Sequence, residues 1–107
     1  MEKTKIDLVI SRFSKKHDNL VKNLVTYENG KNEAVRLNII ENARNFDIVL
    51  IEFPDEIDSV SPSYMKGLLE ELYKDIGKTA FGEKIRFIGS PYVIRWIGIG
   101  LRNFSKN

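Results

Sequence analysis

Residues 47–72, DIVLIEFPDEIDSVSPSYMKGLLEEL, decide the fold of this chain. Ile48, Val49, Leu50 and Ile51 form a nearly unbroken apolar run, the pattern of a central strand covered on both faces. Pro54 ends it, because proline has no N–H to give to a ladder. An acidic loop follows, and then Ser61 offers a helix N-cap, with Pro62 in the first-turn position where a missing N–H does no harm. Met65, Leu68, Leu69, Leu72 and Ile76 recur on one helical stripe, and Gly77 suits the C-terminal cap. A helix start with hydroxyls and free backbone N–H groups therefore stands beside the carboxyl end of a strand. Such a place can hold a phosphate or dock a partner.

Toward the C-terminus, residues 83–89 alternate as a strand with Ile85, Phe87 and Gly89 on one side, and Ser90-Pro91 repeats the cap-then-proline start. The helix that follows is expected to bury Ile94, Ile97, Leu101 and Phe104 and to leave Arg95 and Arg102 toward water. Gly98 and Gly100 each cost about 1 kcal/mol against Ala in a helix interior, which close packing onto the sheet would explain. Toward the N-terminus, Asn32 can cap a helix whose stripe is Val35, Ile39, Ile40, Ala43 and Phe46. Residues 5–10 read as a first strand and residues 11–19 as a turn or loop. Residues 20–27 fit helix or strand, and Asn29-Gly30 suits the end of either; strand is preferred because a lone opening strand needs a neighbour. The order favours one α/β domain over 1–107, with N-terminal strands in 1–30 and a core in 31–107. About four strands in a mixed sheet, with helices packed on it, are expected.

At 107 residues, 42 % hydrophobic and 30 % charged, the composition is that of one ordinary globular domain. The absence of cysteine excludes disulfides, thiolate nucleophiles and Cys-ligated zinc, and the single His17 anchors no transition-metal site alone. The opening apolar run is too short for a signal peptide and nothing approaches a membrane span, so a cytoplasmic location is the default expectation. The net charge of +2 is unevenly spread: the middle of the chain is acidic, and residues 84–107 carry five Lys or Arg and no Asp or Glu. That basic segment either complements the acidic middle of its own fold or meets an anionic partner.

No constellation demands catalysis. Glu52, Asp55, Glu56 and Asp58 have the chemistry to hold Mg²⁺, but no Gly-rich phosphate loop or Lys-Ser/Thr pair accompanies them. Nothing orients His17 beside a serine. Ser61 is accounted for as a cap accepting from the N–H of Ser63 or Tyr64, typically worth about 1 kcal/mol. Ser63 lies in the first turn, where a phosphate would gain about 0.3–1 kcal/mol from the helix dipole. Its charge would also face Asp55, Glu56 and Asp58, a strong change to a docking surface. Tyr92, Arg95, Trp96, Arg102 and Lys106 have the chemistry of a nucleic-acid contact, although Trp96 at this spacing is expected against the core.

The segment IVLIEFPDEIDSVSPSYMKGLLEELYKDIG, followed by AFGEKIRFIG, resembles the STAS-like family of small bacterial proteins over residues 32–104. The shared features are a strand ending in an acidic-aromatic step, Glu52-Phe53, and the helix start Ser61-Pro62-Ser63-Tyr64. That family in turn resembles the STAS domains of anti-sigma factor antagonists, whose Asp-Ser-Ser-Gly helix start is phosphorylated on its second serine by a kinase-like partner. Matched residue by residue, the Asp falls on Ser61, the first serine on Pro62, the phosphorylated serine on Ser63 and the Gly on Tyr64. Three of the four positions differ: a charged cap is lost, and a bulky Tyr64 stands where Gly permits close approach. The resemblance implies a non-enzymatic regulatory module without a cofactor, with Asp58, Ser59, Ser61, Ser63, Tyr64 and Lys66 contacting a protein partner. Ser63 is the implied phospho-acceptor, and a histidine-kinase-like ATPase of the anti-sigma type the implied partner.

Overall fold

The computed structural model describes residues 4–10, 13–14, 19–20 and 23–105, with the side chains of 13–14, 19–20 and 103–105 left aside. His17 and Lys106 lie outside the described residues. Three parallel strands form the main sheet in the order β1 (Lys5–Val9), β5 (Ile48–Glu52), β7 (Ile85–Ile88). A short antiparallel pair joins β2 (Phe13–Ser14) to β3 (Asn19–Leu20), and a short parallel pair joins β4 (Asn23–Leu24) to β6 (Ser59–Val60). The helices are α1 (Tyr27–Arg36), α2 (Ile39–Asn45), α3 (Pro62–Lys84) and α4 (Pro91–Ser105). The α/β class is as expected, but the four-stranded mixed sheet is not: the main sheet has three strands and all its pairings are parallel.

The register explains where the core lies. Ile6, Val49 and Ile85 align across the sheet, as do Leu8, Ile51 and Phe87. This face carries the buried Leu8, Val49, Ile51 and Ile85, and it joins Met65, Leu68, Leu69 and Leu72 of α3 with Val93 and Ile97 of α4. The alternate residues make the rows Asp7–Leu50–Arg86 and Val9–Glu52–Ile88. Among the described residues that second face lies open, with Asp7, Val9, Arg86 and Ile88 exposed and Leu50 and Glu52 half-buried. The apolar run of β5 is therefore central in the sheet yet covered by helices on one face only, a correction to the two-sided burial expected of it.

The helical layer departs from the sequence pattern at several points. Thr26, not Asn32, caps α1, accepting from the Asn29 N–H at 3.0 Å. Asn29-Gly30 thus lies inside a helix instead of ending a helix or strand before it. The expected single helix is two, split where Asn38 takes the left-handed conformation at φ 51°. The split turns Val35 outward, 75 % exposed, so it is no part of the buried stripe. α1 buries Gly30 and Glu33 and has no apolar stripe of its own. It is held by close approach: a Cβ on Gly30 would collide with the Tyr64 carbonyl, and one on Gly67 with the Tyr27 carbonyl. Only two glycines let the backbones of α1 and α3 come that close.

Gly77 ends the first helical segment of α3, as expected of a C-terminal glycine: at φ 85° and ψ 166° it is non-helical, and a second helical segment follows it to Lys84. The rings of Tyr73 and Phe81 meet across the break, with centroids 5.4 Å apart. Lys84 Nζ donates to the Ala43 carbonyl at 2.9 Å, tying the end of α3 to the end of α2, and Arg44 pairs with Asp75 between the same helices. In α4, Val93 and Ile97 face the core, whereas Ile94 is exposed. Gly100 packs on Met65 and Pro62 of α3, not on the sheet, and Gly98 faces open space.

Candidate functional site

The loop from β5 to α3 is anchored at both ends. The Phe53 N–H donates to the Ile88 carbonyl at 2.7 Å and the Ile57 N–H to the Pro54 carbonyl at 3.0 Å, with both side chains buried. Burying those two apolar groups turns Asp55, Glu56 and Asp58 outward. β6 then pairs with β4, and the Ser61 N–H donates to the Leu24 carbonyl at 2.7 Å. The ambiguous segment 20–27 thereby contributes a strand, β4, that positions the start of α3.

Ser61 is fully engaged. Its Oγ accepts from the Tyr64 N–H at 3.0 Å and donates to the Val25 carbonyl at 2.5 Å, locking the helix start to the chain before α1. Ser59 Oγ donates to Asn23 Oδ1 at 2.6 Å and is half-buried. Ser63 and Lys66, three residues apart on α3 and so on neighbouring turns of one face, are both exposed. Tyr64 is different. It is 2 % exposed, and burial raises its hydroxyl well above the usual phenol range, reinforced by Glu33 and opposed by Arg36. As a core residue it offers no side chain to a partner and does not obstruct the first turn, which corrects its place in the expected contact set. The exposed part of that set is Asp58, Ser63 and Lys66, with Ser59 and Ser61 beneath it as scaffold.

Two constellations escaped the sequence pattern. Glu33, buried on α1, accepts from Arg36 at 2.5 and 3.1 Å, and Arg36 also donates to the Val9 carbonyl at 2.8 Å. The Glu-x-x-Arg spacing carries that signal, although the strand it reaches is nonlocal. On the open face of the sheet, neighbouring Asp7 raises the carboxyl of Glu52, with burial, a hydrogen bond between the two side chains and Asp55 acting in the same direction. A cleft of about 190 Å³ also opens between α1, α2 and α3, with Ala34, Ile39, Ile40 and Leu72 in its wall and Lys31 and Glu71 at its edge.

On α4, Tyr92 is 74 % exposed, and Arg95, Trp96 and Arg102 are exposed with it. Trp96 does not pack into the core as its spacing suggested. Among the described residues, no three His, Cys, Asp or Glu side chains converge as a metal-binding group. No described helix is long and apolar enough to cross a membrane. In comparisons with protein-family models, curated proteins and solved structures, nothing matches this chain.

Proposed function

We propose that this chain is a non-enzymatic regulatory module of the STAS-like type, which docks a protein partner through residues 58–66 and is switched by phosphorylation of Ser63. The observation that carries the reading is the division of labour between two serines. Ser61 is consumed by the cap, while Ser63 presents an exposed hydroxyl on the first turn of α3. A phosphate there would meet the positive end of the helix and the exposed carboxylates of the preceding loop, changing the surface charge by about −1.5 to −2. The inward-turned Tyr64 removes the steric objection to a partner lying against that turn. The family resemblance makes a histidine-kinase-like ATPase the first partner to test. Co-purification with mass spectrometry identifies the partner and any added phosphate. In a titration against it, Ser63→Asp is expected to weaken binding about tenfold or more and Ser63→Ala to leave it intact. Equal affinities for the two variants would remove the switch.

A second reading, nucleic-acid association through α4, is favoured by the exposed Tyr92 and Trp96 beside Arg95 and Arg102. It requires a steep fall of affinity with salt in filter binding, since phosphate contacts release counterions.

A further inference from the structure

An all-parallel sheet is ordinarily covered on both faces, and among the described residues this one is covered on one. The open face is not simply polar: Val9 is 45 % and Ile88 42 % exposed, and Ile48 and Leu50 on the central strand are half-buried. Its charges are also incompletely matched. Asp7 and Glu52 are adjacent carboxylates, and no ion pair joins either to a basic side chain among the described residues. Arg86, on the opposite edge strand, donates to the carbonyls of Gly82 and Ile85 at 2.8 and 3.2 Å and, among the described residues, pairs with no carboxylate. Within one copy, β5 stands between Asp7 and Arg86.

We propose that a second copy of this chain covers the open face, related by a two-fold axis parallel to the strands, so that Asp7 of each copy lies against Arg86 of the other. The register selects this axis. Rotation about it carries β1 over β7 and leaves position along the strands unchanged. The row Asp7–Leu50–Arg86 is laid on its own reverse, giving two Asp–Arg contacts around a central pair of Leu50 side chains. In the next row Val9 meets Ile88 of the second copy, apolar on apolar. Glu52 meets its own counterpart near the axis, a repulsion that the two Asp–Arg contacts must outweigh. A two-fold lying across the strands would instead lay β1 over β1 and β7 over β7, so that Asp7 could not reach Arg86 of the second copy. Lys5, two residues before Asp7 on β1, and Asp55, which acts on the Glu52 carboxyl, are charged groups near this face among the described residues. Three strands about 4.8 Å apart and four or five residues long make a patch of only about 240 Å² per copy, below the size of standard specific interfaces, so the dimer is expected to be weak and concentration-dependent.

Sedimentation equilibrium from about 10 µM to about 1 mM should show the mass of the unaltered chain rising toward that of a dimer. Asp7→Arg and Arg86→Asp each create two like-charge contacts per dimer and are expected to weaken association about tenfold or more. An equimolar mixture of the two variants pairs Arg with Asp at both contacts and should associate as tightly as the unaltered chain. Leu50→Lys, on the axis, should abolish association, an independent check should a charge variant fail to fold. A chain that stays monomeric throughout overturns the proposal. So does a mixture no tighter than its separate components, or a dimer indifferent to Leu50→Lys.

Discussion

Three serines within five residues at the start of α3 do different work, and their bonding separates them. Ser61 Oγ satisfies an orphan helix donor and also ties α3 to the Val25 carbonyl, so Ser61→Ala loses two interactions. It is expected to lower the unfolding free energy by about 1–2 kcal/mol in urea denaturation. Ser63→Ala removes an exposed hydroxyl and should change stability by less than about 0.5 kcal/mol. The cap was legible because Ser before Pro at a helix start has few other uses. The inward turn of Tyr64 was not. An aromatic with a polar tip suits core or surface equally, and its direction depends on how α1 crosses α3, a contact between segments far apart in sequence.

The crossing of α1 and α3 is where local pattern and element packing diverge most. α1 is polar, lacks an apolar stripe and contains Asn-Gly, which reads as a turn. Backbone proximity holds it instead, and a glycine's fitness for close approach has no periodic signature. Gly30→Ala and Gly67→Ala should each destabilise by about 3 kcal/mol or more, because the obstructing atoms are main-chain carbonyls that cannot move aside. Gly77→Ala has open space around it, but φ 85° with ψ 166° is a region essentially only glycine occupies, and it should cost about 1–3 kcal/mol. Gly98→Ala, helical and unobstructed, should stabilise by about 0.5–1 kcal/mol. Thermal unfolding of the four variants gives the ranking. A stabilising Gly30→Ala would refute the close crossing.

Across the molecule, carboxylates act on stability with opposite signs. Glu70 is held below its usual range mainly by the Tyr27 hydroxyl, and Asp75 by Arg44. The folded state binds their protons less readily than the unfolded chain does. Their contribution is therefore present above the ordinary carboxylate range and is lost as pH falls from that range through the lowered folded-state values. Glu52 is raised, mainly by Asp7, so the folded state retains its proton longer and stability declines as pH rises through its titration. Glu52→Gln should accordingly raise the melting temperature near pH 7 and leave it unchanged near pH 3. Asp75→Asn should lower it near pH 7, with the loss vanishing at strongly acid pH. Both are measured in dilute solution, where association does not contribute.

The α/β class, β5 with its proline stop and the capped start of α3 could be read from the chain, because each rests on contacts within a few residues: hydrophobic period, a missing N–H, a side-chain cap. The parallel three-strand order, the open second face and the placement of β4 beside β6 could not. An apolar strand run has the same composition whether one or both faces are covered. Strand partners are chosen by contacts tens of residues apart, whose energies appear only when the helices have been laid on one side of the sheet.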